Sequence, residues 1–473
     1  MATEVLTREG MPTREGDMTI EAHGMEPIPE AARYGSVGRI FTVWFTPNLV
    51  PAAFAIGTLA AADFLQVGFT TGLAAIIVGN LVGSILVGLL GQMGPATGMA
   101  QMPLARLPYG KSIVVPGLLN WISCIGWDGI NSIFGATAVT IIVPAVPFWL
   151  ALVFIVLAQG LLGVIGYEGI HTFEKYGAIV LGALFAILTV VIVPKAGTGI
   201  ARVDGFEGLD QLGAFVLFSS ITASFVIAWA LYASDYSRYL PPTASRSRIF
   251  WWTVLGLTLS AGWIELLGLL VADQAKGGAV QAINDLMGGG SILAIVAMVA
   301  IVLGTIAVNA MNDYTGSLSL QAAGVRVKRV YSAVVVAILG FLFTLYLNSG
   351  DFFSKFENFL LFISYWIAPW GAVVLVDWWL RKRTADPTSL VDFAKLPRGL
   401  LGLTALIIGF IASAPFQTSV LGGDIATATG LPINTVAAGS LHYADFAYLI
   451  GFVVSALVYW IGARVSQGRQ TSA

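Results

Sequence analysis

Trp127 and Asn131 stand four residues apart inside an apolar stretch, so on a helix they share one face about a turn from each other. An indole beside a carboxamide suits a planar heteroaromatic ligand: the ring stacks, and the amide both donates to and accepts from the ligand's edge. Stacking of a base on an aromatic ring is worth about 1–3 kcal/mol. The same pair serves a plain helix contact equally well, with the indole packed on a neighbour and the amide bonded across. A second apolar stretch carries the polar cluster Ser219-Ser220-Ile221-Thr222-Ala223-Ser224, then Phe225 and Trp229. A third holds Asn309, Asn312 and Asp313. Two carboxamides and a carboxylate are expensive there and should face a cavity or a partner, and Asn309 and Asn312 share a face. Glu265, another acid in an apolar stretch, is a proton-relay candidate or a structural group. Asp235 and Arg238, three residues apart, read as an ion pair or gate element and equally as interface anchors. Asp63 and Asp445 lie at span ends and read as interfacial.

The elements that must position these residues are membrane spans. The chain is 57% hydrophobic and 11% charged over 473 residues, with a mean hydropathy of +0.83. Such values describe an all-α polytopic membrane protein. About twelve stretches have spanning length: 38–62, 68–91, 113–142, 147–165, 173–194, 211–233, 250–272, 290–322, 330–348, 356–380, 398–416 and 443–463. With the amino end in the cytoplasm, only Lys195, Arg202, Lys276 and Lys355 of the 24 Lys and Arg residues fall in outside loops. That asymmetry supports both the number and the parity of the spans, with both termini cytoplasmic.

The first span carries Pro47-Asn48-Leu49-Val50-Pro51 in its middle, where two prolines remove backbone donors and make a continuous helix costly. In the sixth, the cluster 219–224 is the expected break. Interrupted spans at corresponding places in two halves point to a transporter with inverted repeats and a midplane site. The units are then a disordered tail over 1–37, a first repeat over 38–194 and a second over 195–397. Two further spans follow over 398–463, and a carboxy-terminal tail over 464–473 ends the chain.

Other classes find little support. The first long apolar run begins near Ile40 without a small-residue cleavage pattern after it, so no signal peptide is expected. The net charge of −2 points to no partner, and no loop has the sustained basic patch a nucleic-acid role needs. A single Cys124 and the scattered His23, His171 and His442 exclude a disulfide framework and argue against a metal cluster. Gly110-Lys111-Ser112 resembles the end of a phosphate loop, but Ala105 stands where the first glycine belongs. No nucleophile elbow or metal-ligand spacing suggests an enzyme, and no cofactor is expected. A receptor or channel without coupled transport is the remaining rival class. Gly79 and Gly83 form a small-xxx-small pair that serves internal packing or oligomerisation.

Three runs of residues carry a family resemblance: Ile20 through Pro29 with Arg33-Tyr34-Gly35, Gln101 through Gly110, and Ala233-Ser234-Asp235-Tyr236-Ser237-Arg238-Tyr239-Leu240-Pro241. With these the chain resembles the nucleobase–cation symporter-1 family, most closely its purine–cytosine permease branch, over nearly its whole length. The resemblance implies the LeuT-type fold, a five-plus-five inverted repeat with two additional helices. It also implies import of nucleobases (cytosine, purines) through alternating access, in symport with protons or sodium, across the plasma (cell inner) membrane. Carried over residue by residue, it implies that Trp127 and Trp229 clamp the ring while Asn131, Asn309 and Asn312 read its edge, with Ser224 and Phe225 nearby. Ala52 and Ala53 stand where fungal relatives have a hydroxyl, which leaves fine preference open, and carriers of allantoin, hydantoin, uracil, thiamine or pyridoxine are the alternatives. Candidates for handling the coupling ion are Asn48, Thr305, Glu265 and Asp313. With Thr305 the one hydroxyl before Asn309 in the eighth span, protons are favoured over sodium.

Overall fold

The computed structural model describes residues 25–165, 167–195, 209–325, 329–419 and 426–471. Tail residues 1–24 with His23, and Arg202, Arg326 and Lys328 in the loops, lie outside them, as does the side chain of His171. Each of the twelve apolar stretches is helical. The helices are Phe69–Gly91, Val114–Ile142, Phe148–Ile165, Tyr167–Ile192, Leu209–Ile227, Arg246–Leu270, Ile292–Ala322, Arg329–Asn348, Phe352–Leu380, Leu400–Ser413 and Ala447–Thr471, preceded by a first span in two pieces. Ser291 caps the eighth through the amide of Ala294, and Asp351 caps the tenth through the amides of Phe353 and Ser354.

The first span breaks where its prolines require. Helix Arg39–Phe45 runs into a 3₁₀ turn, Thr46–Asn48; Val50 is extended, and Pro51 opens the helix Pro51–Thr58. The two pieces meet at 63°. Pro51 at the first helical position lacks only an N–H that would go unused there. The carbonyls of Val43 and Pro47 are the ones the two prolines deprive of donors.

The sixth span differs from expectation. Its helix runs unbroken through the Ser/Thr cluster, and the irregular stretch is the 3₁₀ segment Ala228–Tyr232, followed by helix Ala233–Ser237. The hydroxyls explain why the cluster does not break the helix. Ser219 donates to the carbonyl of Phe215 (2.7 Å), Ser224 to that of Ser220 (2.6 Å) and Thr222 to that of Ser219 (3.0 Å), so three of the four hydroxyls are satisfied within their own helix, and Ser220 donates to Asp445 O (2.7 Å). Trp229 therefore lies inside the irregular stretch rather than beyond it.

The first span packs on the seventh and the sixth on the second, the pairing that an exchange of two five-span repeats produces. Third and eighth spans lie side by side. Loops predicted on one side meet on one side. Ile28 N–H donates to Gly98 O (2.9 Å), Tyr34 to Tyr239 O (2.8 Å) and Lys111 to Pro397 O (2.7 Å). Buried Arg106 donates to the carbonyls of Ala322 (2.8 Å) at the end of the eighth span and of Leu390 (2.6 Å). A cation suits the negative end of a helix. The amino-terminal tail is thus docked over residues 28–34, with Ile28 buried and Arg33 donating to Pro95 O (2.8 Å), where disorder was expected. At the other end the twelfth helix continues to Thr471 through the expected tail, which contains no proline to stop it.

Glycines set the closest crossings. A methyl group on Gly79 would overlap Thr222 and the Ser219 carbonyl, and one on Gly83 would press on the Ala223 carbonyl, so this pair packs internally against the sixth span. Gly262, by contrast, would meet only Ile76 at 3.7 Å. Overpacking costs about 1–3 kcal/mol. We therefore expect Gly79→Ala to lower the melting temperature of the detergent-solubilised protein by several degrees and Gly262→Ala to leave it unchanged. Equal melting of the two variants would contradict the close crossing.

Candidate functional site

The midpoints of the third, sixth and eighth spans meet. The third and eighth run antiparallel: Gly316 packs at Cys124, Asn309 reaches the carbonyl of Asp128 (3.2 Å) and Thr305 that of Asn131 (3.4 Å). That register sets Asn312 level with Trp127. Trp127 is half-buried, and its ring meets Phe225 of the sixth span edge-on (centroids 5.8 Å apart, 67°) and Phe359 of the tenth (5.3 Å, 88°). Gly126 makes the second contact possible, because a methyl group there would overlap the Phe359 ring. Asn131 is buried one turn further along.

Trp229 belongs to a second aromatic group. Its ring packs edge-on against Trp44 (6.0 Å) and Tyr232 (6.1 Å), and its indole N–H donates to Asn48 Oδ1 (3.0 Å). Asn48 in turn donates to the Trp44 carbonyl (3.1 Å) and to Ser260 Oγ (2.9 Å). Its amide thus joins the first piece of the broken span, the 3₁₀ stretch of the sixth span and the seventh span. Phe225 and Trp229, four apart, lie on one side of the sixth span, and Phe225 is the one that touches Trp127. Ser224 turns its hydroxyl onto its own helix.

The two eighth-span carboxamides differ. Asn309 Nδ2 serves Ser132 Oγ (2.9 Å), Gln159 Oε1 (2.9 Å) and the Asp128 carbonyl (3.2 Å), a network toward the third and fourth spans. Asn312 Nδ2 is buried with no partner in the protein. Since buried donors are nearly always bonded, this amide is free for something else. Asp313 is buried, with Oδ1 unpartnered.

Glu265 lies apart from this cluster, fully buried and accepting from Asn80 of the second span, beside the close approach of Gly57. Asp235 Oδ1 accepts from the amide of Gln101 (2.7 Å), and Arg238 stacks on the ring of Tyr239 (5.1 Å). Between them and the aromatic rings, Tyr232 donates to Asn120 Oδ1 (3.1 Å) and Asn120 to Ser319 Oγ (2.6 Å), joining sixth, third and eighth spans. Asp445, expected at the interface, is fully buried: Tyr365 donates to it, as do the amide (3.0 Å) and hydroxyl (2.8 Å) of Thr418. An acid with that many donors is stable away from water, and sequence position alone did not reveal them. Asp128 and Gln159 were also missed, although an acid inside a 29-residue apolar helix is itself a signal. Among the described residues, no three His, Cys, Asp or Glu side chains are grouped to hold a metal ion.

Residues 27–395 match the model of a family described as permeases for cytosine/purines, uracil, thiamine and allantoin. The chain is 27% identical to the purine-cytosine permease fcyB of Emericella nidulans, over 92% of this chain and 88% of that one. It is 28% identical to the purine-cytosine permease FCY2 of Saccharomyces cerevisiae, over 83% and 78%. Among solved structures it matches Mhp1, a nucleobase-cation-symport-1 family transporter, in a closed conformation with bromovinylhydantoin bound. The TM-score is 0.72 at 17% identity, covering 95% of this chain and 96% of that one. The inward-facing conformation of Mhp1 gives 0.73 at 18% identity, with the same coverage. The fold is therefore the LeuT-type one shared with Mhp1.

The Asn48 junction predicts a stability effect. Asn48→Leu leaves the Trp229 N–H without its acceptor and the Trp44 carbonyl and Ser260 without their donor, and each buried unmet group costs about 1–3 kcal/mol. We expect a fall in melting temperature clearly larger than that of Ser260→Ala. Thermal unfolding of the purified protein checks it, and equal shifts would argue against the junction.

Proposed function

The chain belongs to the family of permeases for cytosine/purines, uracil, thiamine and allantoin, and from that membership we propose that it imports nucleobases, cytosine and purines, in symport with protons. It is a membrane transporter and not an enzyme. The observation that carries the substrate reading is the unspent amide of Asn312 level with the half-buried indole of Trp127, at the midpoint of the spans.

In this reading the base stacks on Trp127 beside Phe225, with Trp229 one turn along the sixth span. Asn131 and Asn312 replace the hydrogen bonds the base loses on leaving water. An unmade buried hydrogen bond costs about 1–3 kcal/mol, so these amides discriminate among ring edges. Asn309, whose amide nitrogen is already engaged, supports the site by fixing the third span to the eighth; Ser224 contributes through its helix rather than its hydroxyl.

Alternating access follows from the packing. The bundle of spans one, two, six and seven rocks against the rest, with Asn48 holding the broken first span to Trp229 and Ser260 within that bundle. Phe359 of the tenth span, edge-on to Trp127, serves as the outer lid. The Tyr232–Asn120–Ser319 chain and the Asp235–Gln101 contact form the inner closure, with Arg238 anchoring it on Tyr239. Protons are favoured because a sodium ion needs several oxygens. Asn48 Oδ1 already accepts from Trp229, and Thr305 is the one eighth-span hydroxyl near Asn309. Glu265 and Asp313 are among the buried acids available for handling protons. The loop charges support both termini lying in the cytoplasm, and the importing role supports placement in the plasma (cell inner) membrane.

Radiolabelled cytosine uptake in cells lacking their own cytosine permease, with excess adenine as competitor, tests this. Concentrative uptake blocked by adenine is expected. Trp127→Ala and Asn312→Ala should each lower it about thirtyfold, the middle of what one stacking contact or one buried hydrogen bond contributes. Unchanged uptake in both variants would remove this site. No uptake above empty-vector cells, with the protein at the membrane, would reject cytosine.

A further inference from the structure

Asp128 follows Trp127 in the chain but projects from a different helix face, and it is fully buried. Gln159 of the fourth span donates from Nε2 to both of its oxygens, at 2.9 and 3.1 Å. The other end of that amide, Oε1, accepts from Asn309 Nδ2. From the ninth span comes Gly340, where a methyl group would collide with Asp128 Oδ2, so the carboxyl group has room only because that residue is glycine. Of the groups facing Asp128 from these elements, Gln159, Gly340 and Asn309 do not titrate. The titratable ones nearby are Asp313, one turn from Asn309 on the eighth span, and Cys124, one turn earlier on the third, whose Sγ meets the Tyr232 hydroxyl at 3.5 Å. No Lys, Arg or His forms an ion pair with Asp128 among the described residues.

The donors do not cover the acceptors. Both Asp128 oxygens, Asn309 Oδ1 and Asp313 Oδ1 are buried acceptors. Gln159 Nε2 supplies Asp128 alone, and the other two have no donor. A buried carboxylate with one neutral amide as its partner is a charge without a counter-ion, and a proton is the ligand that removes it.

We infer that Asp128 binds the proton that is moved with the substrate, with Gln159 and Asn309 linking it to the substrate site. This deepens the symport reading above and rests on it. The carboxylate takes up one proton and becomes a neutral acid; no other bond changes. With the Gln159 and Asn309 amides both turned end for end, the acid O–H donates to Gln159 Oε1, and Gln159 Nε2 donates to Asn309 Oδ1, the oxygen that otherwise lacks a donor. Asn309 lies one turn from Asn312, and Asp128 adjoins Trp127, so substrate and proton occupy neighbouring positions on the same two helices.

The test uses the full-length protein in liposomes, with cytosine as substrate. Cytosine exchange without a gradient and accumulation driven by an inward proton gradient are measured on the same preparation. Asp128→Asn should lower the ratio of accumulation to exchange about tenfold or more, the usual size of a coupling between two ligands. An unchanged ratio overturns the proposal. If Asp128→Asn does not fold, Gln159→Leu decides: removing the donor to the carboxylate should move the half-maximal pH of uptake upward by about one unit, and an unmoved profile overturns the proposal. Wild-type protein that accumulates cytosine on a sodium gradient and not on a proton gradient overturns it too, while leaving the transport reading intact. Wild-type protein that exchanges no nucleobase overturns the transport reading, and this proposal with it.

Discussion

A backbone N–H or C=O inside a bilayer has no water to turn to, so a helix can be interrupted only where other groups take up what the break releases. The paired prolines at 47 and 51 force such an interruption, and the pieces of the first span diverge by 63°. One side chain gathers the result. Asn48 donates back to the Trp44 carbonyl and across to Ser260, and accepts from Trp229 on the irregular part of the sixth span. The relative position of the first, sixth and seventh spans rests on this amide, and with it the place of the aromatic rings at mid-depth. Small residues then set how closely the neighbours follow: Gly79 and Gly83 against the sixth span, and Gly57 and Gly268 where the first and seventh cross.

The third span is the second organiser, and it works through its two faces. Trp127 and the rings of Phe225 and Phe359 form an apolar group. The next residue turns away into a polar one, where Asp128, Gln159, Asn309 and Ser132 bind each other. Because both groups hang from one rigid helix, the third span, a change in either reaches the other without a long pathway. A packed helix pair has few intermediate positions, so such a change favours one arrangement or another instead of deforming the protein gradually.

Much of the candidate site was legible in the sequence. The Trp127–Asn131 spacing, the proline pair and the carboxamides at 309 and 312 each violate what an apolar span wants, and such violations stand out. Two readings failed for an identifiable reason. The Ser219–Ser224 cluster looks like a break because it is polar, yet hydroxyls can satisfy themselves on the preceding turn, which no residue count reveals. Asp445 looks interfacial from its place at a span end, yet Tyr365 and Thr418, from distant parts of the chain, enclose it.

What the sequence determined by itself is what local composition dictates: apolar helices over the twelve stretches and the break at Pro47–Pro51. These follow from hydrophobicity, charge and backbone donors, which each residue carries wherever it goes. Only the tertiary structure decided which polar groups are already spent. Asn309 and Asn312 are the same residue type three positions apart, yet one has its amide nitrogen saturated by the third and fourth spans and the other has none of its donors used. A side chain's availability depends on partners brought from far along the chain, and those meet only when the helices pack.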